Sequence, residues 1–246
     1  MGAWGVAIFS DDLAADIRGD SIDLIGDGVS TSEAVDKLIA QYGDSIKDED
    51  DGPVFWLALA AVQWKLGRLE ERTKREALKV IDSGVNLQWW EDAATRKKRA
   101  AVLAKLRGTL LSPSGPPKRV RRRIRSANEW AVGEVVGFRL ASGKWIPLRV
   151  IGHHTDRGGR SAICELLDWT GTTPPSGELI AQLPVRRGRN ARRTSQFFFP
   201  EPRKKTDQAR VARWGITSQP AQRVGGFTVF IWPRIDELVK RVFDLE

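Results

Sequence analysis

Five carboxylates near the start of the chain are the side chains whose type and spacing suit chemistry best. They are Asp12, Asp16, Asp20, Asp23 and Asp27, which we call the acidic stripe. Paired carboxylates serve general acid–base catalysis, and clustered carboxylates bind divalent cations. Asp12 and Asp16 are close enough in sequence to form such a pair. No histidine and no further acid at a recognised spacing supports them, so we predict no catalytic residue, no metal site and no cofactor.

Residues for other common reactions are equally scarce. The sequence has no P-loop, no G-x-G-x-x-G, no H-E-x-x-H and no G-x-S-x-G motif. His153 and His154 are the two histidines, and both fall in one predicted Gly-rich loop without cysteines or acids at ligand spacing. Cys164 is the single cysteine, which we interpret as a small buried residue of a strand. We therefore expect a protein that is not an enzyme.

The acidic stripe is predicted to lie on a helix. Ser10 is a plausible N-cap, and apolar or small residues then recur at steps of four, four and three from Leu13 to Leu24. The carboxylates occupy a neighbouring face, where like charges four residues apart cost about 0.2–0.5 kcal/mol per pair. The stripe is therefore either a solvated surface or a face that meets something basic. In the second case, the basic surface belongs either to the chain's own second half or to a foreign cationic protein.

Charge is distributed unevenly along the chain. The 246 residues carry a net charge of +9, yet residues 1–51 contain 3 Lys/Arg and 13 Asp/Glu. Residues 113–246 contain 25 Lys/Arg and 12 Asp/Glu. Such asymmetry is typical of proteins with charged interaction surfaces. The sequence also lacks an apolar run long enough to span a membrane and a secretory signal, so we expect a cytoplasmic protein with no membrane partner.

Residues 1–108 are predicted to form an acidic helical domain of about four helices. A capping box at Ser30 and Glu33 begins one helix, and the apolar stretch PVFWLALAAVQWKLG is expected to be the buried central helix. Another helix ends at Gly84. The last is expected from about Gln88 to Arg107, with two tryptophans packed inward and the ATRKKR patch facing outward. Trp4, Ile8 and Phe9 are expected to anchor the N-terminus in this core.

Residues 109–127 are predicted to be a linker rich in Pro and Arg. Its arginines have three open interpretations: a solvated charge run, a tether that docks on the acidic helix, or a nucleic-acid contact. A second basic run follows in the C-terminal half. The candidate nucleic-acid-binding residues are Arg119, Arg121, Arg122, Arg123, Arg125, Arg186, Arg187, Arg189, Arg192 and Arg193.

Residues 128–246 are predicted to form a basic β domain that ends in a short amphipathic helix. Apolar residues alternate with polar ones in EWAVGEVVGFRL and WIPLRVIG, and SAICELLDW is expected to be a third strand. FFFP and RVGGFTVFIWP are the remaining predicted strands. Five or so short strands in about 110 residues favour a small antiparallel barrel. The predicted fold class is thus α+β.

Two resemblances to known families add to this interpretation. The opening M-G-A-W-G-V-A-I-F-S-D-D-x-A-x-D resembles a bacterial family of small uncharacterised proteins, over roughly residues 1–107. That resemblance implies a helical fold. Residues 129–152 resemble a hairpin of SH3-like barrels among immunity proteins of bacterial polymorphic-toxin systems, through Gly133, Phe138, Leu140, Gly143 and Val150. Glu134 stands where that family usually has Asp.

The expected function is therefore binding. The first hypothesis is an immunity-like protein of bacterial conflict systems, whose acidic stripe recognises a toxin or another basic protein. The alternative is a nucleic-acid-binding module that uses the basic linker and the loops of the β domain. In a third hypothesis the acidic and basic parts neutralise each other within the chain.

Overall fold

The computed structural model describes residues 4–186, 196–199, 202–217, 228–229 and 232–245. These residues form helices in the first half and mainly strands in the second, which confirms the mixed α+β class. The chain divides into two compact units, residues 1–123 and residues 124–246. Within the described ranges, no helix is both long and apolar enough to cross a membrane.

The first unit is helical. Its helices are α1 (Asp12–Gly26), α2 (Thr31–Gln41), α3 (Gly43–Lys47), α4 (Asp51–Lys65), α5 (Glu71–Ser83) and α6 (Ala93–Leu111). A single 3-10 turn, Val85–Leu87, precedes α6. The capping box of α2 is present as predicted, with Ser30 and Glu33 each bonding to the other's backbone. The first helix begins one residue later than predicted, because Asp11 rather than Ser10 accepts the capping hydrogen bond from the Ala14 N–H, at 3.1 Å.

Helix α4 is the centre of this unit, as its apolar sequence predicts. One side of α4, including Phe55 and Ala58, packs against buried residues of α1 and α2. The other side, including Leu57 and Ala60, packs against α5 and α6. A helix that is apolar on all sides needs neighbours on all sides, since exposed apolar surface is unfavourable at about 25 cal/mol per Å².

The N-terminus is anchored by fewer residues than the sequence suggests. Ile8 and Phe9 pack against the helical core, but Trp4 is 63% exposed, so its predicted burial is wrong. The Trp4 N–H donates to the Ser10 carbonyl at 3.1 Å. This bond closes a loop over residues 4–10, and the Trp4 ring is left at the surface.

The last helix of the unit also differs from its predicted bounds. It begins at Ala93, because the Asp92 side chain accepts a hydrogen bond from the Thr95 N–H at 2.6 Å and caps it there. Trp89 and Trp90 therefore precede the helix, and Trp89 is 38% exposed rather than buried. At its other end α6 continues to Leu111 because Leu110 is fully buried, so the first residues of the predicted linker are helical.

The second unit is built on a sheet. Its strands are β1 (Ser126–Ala127), β2 (Glu134–Arg139), β3 (Trp145–Asp156), β4 (Gly159–Leu166), β5 (Gln196–Phe199), β6 (Val211–Thr217) and β7 (Thr228–Val229). Their order is β6-β2-β3-β4-β5-β7, with β1 beside β4. The pairs from β6 through β5 are antiparallel, as predicted, whereas β1–β4 and β5–β7 are parallel. Strand β6 was not predicted from the sequence.

Short helices complete the second unit. They are α7 (Gly177–Gln182), α8 (Lys205–Gln208) and α9 (Ile235–Phe243). The predicted amphipathic helix at the C-terminus is confirmed in α9, whose Ile235, Val239 and Phe243 are buried. These three side chains belong to the same core as the inward face of β2 and β3, including Phe138 and Ile146. The helix therefore covers the apolar face of the sheet.

A buried ion pair joins two central strands. Arg149 of β3 and Glu165 of β4 are register partners, and the Arg149 Nη2 lies 2.5 Å from a Glu165 carboxylate oxygen. Both side chains are less than a tenth exposed. Two buried charges tolerate this position only as a pair, because each alone would lose its hydration without compensation.

We predict that Glu165→Gln weakens the second unit by about 3–5 kcal/mol, because it removes the carboxylate charge that lies 2.5 Å from the buried Arg149 guanidinium. The double variant Arg149→Met/Glu165→Leu removes both charges and is expected to recover most of that loss. Native-state hydrogen exchange of the β3 and β4 amides measures both effects. Equal exchange in the single and double variants would contradict the prediction.

Candidate functional site

The structure divides the acidic stripe into two ends. Asp12 and Asp16 lie on the solvent-exposed surface of α1. Asp20 accepts hydrogen bonds from the Tyr42 hydroxyl at 2.5 Å and from the Gln41 amide at 2.9 Å. The C-terminal end of the stripe faces cations instead. The five carboxylates of the acidic stripe are therefore not equivalent as binding groups.

Arginines of the predicted linker provide those cations. The Arg123 Nε lies 2.7 Å from an Asp23 carboxylate oxygen, and the Asp23 side chain is only 9% exposed. The Arg122 Nε lies 3.2 Å from Asp27. The structure thus favours docking on the acidic helix for these two arginines, one of the three interpretations that the sequence leaves open.

Backbone contacts hold the same segment, residues 115–123, which we call the basic strap. The Lys118 N–H donates to the Leu66 carbonyl at 2.9 Å, beside the turn between α4 and α5. Gly67 has φ +67°, and a Cβ there would lie 2.4 Å from the carbonyl oxygens of Gly115 and Pro116. A Cβ at Gly26 would lie 2.8 Å from the Arg121 carbonyl oxygen. The strap is thus fitted to two glycines as well as to two carboxylates.

The strap changes the charge of the first unit. Residues 1–112 contain 15 Lys/Arg and 19 Asp/Glu, whereas residues 1–123 contain 20 and 19. The strap brings this compact unit close to neutrality, although its first helix is strongly acidic. The acidity that remains is local: it includes the exposed end of the stripe and exposed acids of residues 44–50.

The other arginines proposed for nucleic-acid binding are dispersed. Arg119 and Arg121 are exposed residues of the strap, and Arg125 is an exposed residue at the start of the second unit. Arg186 lies 2.9 Å from an Asp168 carboxylate oxygen. The remaining candidates lie outside the described residues: Arg187, Arg189, Arg192 and Arg193.

A cavity of about 280 Å³ opens in the first unit, near the start of α1 and α4. Its volume is at the lower end of the range for ligand pockets, about 300–1,000 Å³. Apolar and small residues form part of its wall. The polar and aromatic side chains that line it are Ser10, Asp11, Asp50, Asp51, Asn86, Trp89, Trp90 and Arg99.

Arg99 is the most unusual of these side chains, because it is a charged residue with only 5% of its surface exposed. Its Nε donates to the Asn86 Oδ1 at 2.7 Å, and its Nη1 donates to the Val6 carbonyl at 2.8 Å. Within the described part of the chain, no carboxylate oxygen lies close enough to form an ion pair with it. Burial lowers the pKa of Arg99, and the charge of Asp11 opposes that shift.

Other polar groups of the cavity also lack partners. The Trp90 Nε1–H is buried and has no hydrogen-bond acceptor among the described residues. Asp50 occupies the N-cap position of α4 without making a side-chain capping bond, and Asp51 is in the first turn of that helix. The cavity therefore combines unsatisfied donors with carboxylates.

Arg99 does not lie on the outward-facing basic patch that is predicted for ATRKKR, so this prediction is wrong. Arg99 precedes Leu103, Leu106 and Leu110 at steps of four, three and four, which is one helical face. All three leucines are buried. This spacing is the signal that identifies Arg99 as an inward residue, despite the three basic residues directly before it.

The two histidines are part of β3 rather than of a loop. The His153 Nε2 lies 2.8 Å from the Trp130 carbonyl oxygen, so it donates, and the Nδ1 accepts from Arg160 Nη2 at 3.2 Å. Both nitrogens of His153 therefore have partners within the unit. In the described ranges no cluster of His, Cys, Asp and Glu could hold a metal ion.

The lone cysteine is buried in β4, as the sequence predicts. Burial raises the pKa of the Cys164 thiol strongly, and the nearby charges of Glu165 and Glu134 act in the same direction. A thiol of this kind stays protonated at neutral pH and is a poor nucleophile.

An aromatic cluster occupies the face of the second unit opposite α9. The ring of Trp214 lies 6.2 Å from the rings of both Trp145 and Trp169, in edge-to-face arrangements. Gly137 makes room for it, since a Cβ there would lie 2.2 Å from the Trp214 ring. All three tryptophans are half-buried, and the Arg139 guanidinium lies 6.0 Å from the Trp145 ring.

Comparison with known proteins gives no relative from which a function could be transferred. No family model, no curated protein and no solved structure matches the chain.

We predict that Gly67→Ala destabilises the first unit more than Gly84→Ala does. Both glycines have nearly the same positive φ, +67° and +68°, so an alanine costs about 1–2 kcal/mol in either place. Nothing lies within 4 Å of a Cβ at Gly84, whereas a Cβ at Gly67 would lie 2.4 Å from two carbonyl oxygens of the strap. The extra cost at Gly67 is expected to be about 1–3 kcal/mol.

Urea unfolding measures this difference, and hydrogen exchange of the Lys118 amide reports whether the strap has moved. Equal destabilisation by the two substitutions, with an unchanged Lys118 amide, would show that the strap does not rest on Gly67.

Proposed function

We propose that this protein is a non-catalytic, immunity-like binding protein of bacterial conflict systems that recognises a basic protein partner. The observation that carries the proposal is the division of the acidic stripe. Asp23 and Asp27 are largely covered and face arginines of the same unit, whereas Asp12 and Asp16 are exposed residues that another protein can reach. The exposed end of the stripe is the recognition surface in this proposal.

The strap supports this proposal because it shows what the stripe accepts. At the C-terminal end of the stripe, two carboxylates bind guanidinium groups of the strap, a segment without helix or strand. The exposed end continues the same helix face. A basic segment of another protein fits the same chemistry, and complementary charge accelerates its capture.

Trp4 adds an exposed apolar side chain that is close in sequence to Asp12. Its backbone bond to Ser10 places it just before α1, and its ring is largely in solvent. Exposed tryptophans next to charged groups are frequent anchors of protein interfaces. A partner that covers Asp12 is therefore expected to cover Trp4 as well.

The proposal includes the finer fold assignments, a bundle of the longer helices and an SH3-like barrel. The packing of α4 between α1, α2, α5 and α6 supports the former. The antiparallel order β6-β2-β3-β4-β5 supports the latter. The resemblance of residues 129–152 to barrel immunity proteins gives the proposed biological setting.

The test is binding of the full chain to the purified product of the gene encoded beside it. We expect Asp12→Asn/Asp16→Asn to lower the association rate constant about tenfold or more at low salt, and less at high salt, because steering by exposed charges is screened. Stopped-flow tryptophan fluorescence measures this rate constant.

Asp44→Asn/Glu49→Gln is the matched control, since it removes two exposed carboxylates of the same unit that do not belong to the stripe. This control is expected to bind nearly as fast as the original chain. Absence of binding to the neighbouring gene product, or an equal effect of both double variants, would contradict the proposal.

The aromatic cluster favours nucleic-acid binding as a second candidate function. Single-stranded nucleic acids are held by stacking on aromatic rings and by nearby cations. The cluster of Trp145, Trp169 and Trp214 lies on the second unit, with the exposed Arg139 beside one ring. Lys144, next to Trp145 in the sequence, is exposed too.

A mobility-shift titration with oligothymidine at several salt concentrations tests this second function. Each of Arg139→Ala and Lys144→Ala is expected to reduce the slope of log affinity against log salt by about 1, as for a lost phosphate contact. Arg72→Ala, in the other unit, should leave the slope unchanged. No shift at low salt would rule out this function.

A further inference from the structure

The cavity near the start of α1 contains a guanidinium that forms no ion pair with a described carboxylate, although three carboxylates line the same cavity. Arg99 is nearly fully buried, and among the described residues it donates two of its five N–H groups to protein oxygens. Buried charges in proteins are normally paired with an opposite charge, because their lost hydration is otherwise uncompensated. In the described part of the chain this pairing is missing.

A second donor lines the same cavity. The Trp90 indole N–H is buried without an acceptor among the described residues, although buried N–H groups almost always have one. Two unsatisfied donors, one of them cationic, are suited to a carboxylate, which accepts hydrogen bonds at both oxygens.

The cavity is not suited to a simple anion, however. Asp11, Asp50 and Asp51 line it as well, and their charges repel a second carboxylate. Asp11 is engaged as the cap of α1, whereas neither Asp50 nor Asp51 has an ion-pair partner among the described residues. A simple cation is equally unsuited, because Arg99 repels it. A ligand that carries both charges satisfies both sets of groups.

We infer that this cavity binds a small zwitterion of the α-amino acid class. Its carboxylate accepts from Arg99 and Trp90, and its ammonium group donates to Asp50 and Asp51. The cavity volume of about 280 Å³ suits a molecule of that size. Trp89 lines the cavity and is partly exposed. In this proposal its ring contacts the side chain of the bound amino acid. This site is separate from the acidic stripe and does not depend on the proposed protein partner.

Isothermal titration of the full chain with each of the twenty common α-amino acids tests the inference. At least one is expected to bind saturably. The methyl ester and the N-acetyl derivative of that amino acid should each bind about tenfold or more weakly, since each loses one charge-assisted contact. Binding by acetate or methylammonium as tight as that of the amino acid, or no saturable binding by any amino acid, would overturn the inference.

Variants of half-buried lining residues, compared with a variant of an exposed neighbour, separate binding from folding. Asp51→Asn is expected to weaken the amino acid about tenfold or more, and Trp90→Phe to weaken it while keeping the ring. Glu49→Gln removes the same charge next to the cavity without touching its lining, and should leave the affinity unchanged. Equal affinities for Asp51→Asn and Glu49→Gln would overturn the assignment of the ammonium group.

Discussion

Mutual repulsion of carboxylates along α1 is the constraint on which the organisation of the helical unit depends. Five acids on one helix face destabilise it unless each meets a donor, a cation or water. The unit provides all three in sequence along the helix. Asp12 and Asp16 are exposed to water, Tyr42 and Gln41 donate to Asp20, and arginines of the strap face Asp23 and Asp27. The strap is therefore part of this unit's structure.

The same logic of unbalanced charge links the two candidate sites of the helical unit. At the stripe the surplus is negative and lies in solvent, where it costs little and can attract a basic partner. At the cavity, which three carboxylates and one guanidinium line, Arg99 is buried without an ion pair to a described carboxylate, and a buried charge of this kind costs much more. The acidic stripe therefore favours a large partner held by complementary charge, and the cavity favours a small ligand enclosed by donors and acceptors.

Much of the fold follows from local patterns in the sequence. The capping box at Ser30, the apolar helix α4 and the alternating strands β2 and β3 are all determined by neighbouring residues, so they were predicted. The contact of Arg99 with Val6 and the pairing of Arg123 with Asp23 join residues that are 93 and 100 positions apart in the chain. Periodicity does not reveal such partners, although the spacing of Arg99 from Leu103 and Leu106 indicates its face.

The central claim is that the chain itself neutralises the C-terminal end of the acidic stripe. A double-mutant cycle on Asp23→Asn and Arg123→Gln, with unfolding free energies measured in urea, tests it most directly. The account predicts a coupling free energy of about 1 kcal/mol or more, because the Asp23 carboxylate is buried and the two groups are 2.7 Å apart. A coupling indistinguishable from zero would contradict it.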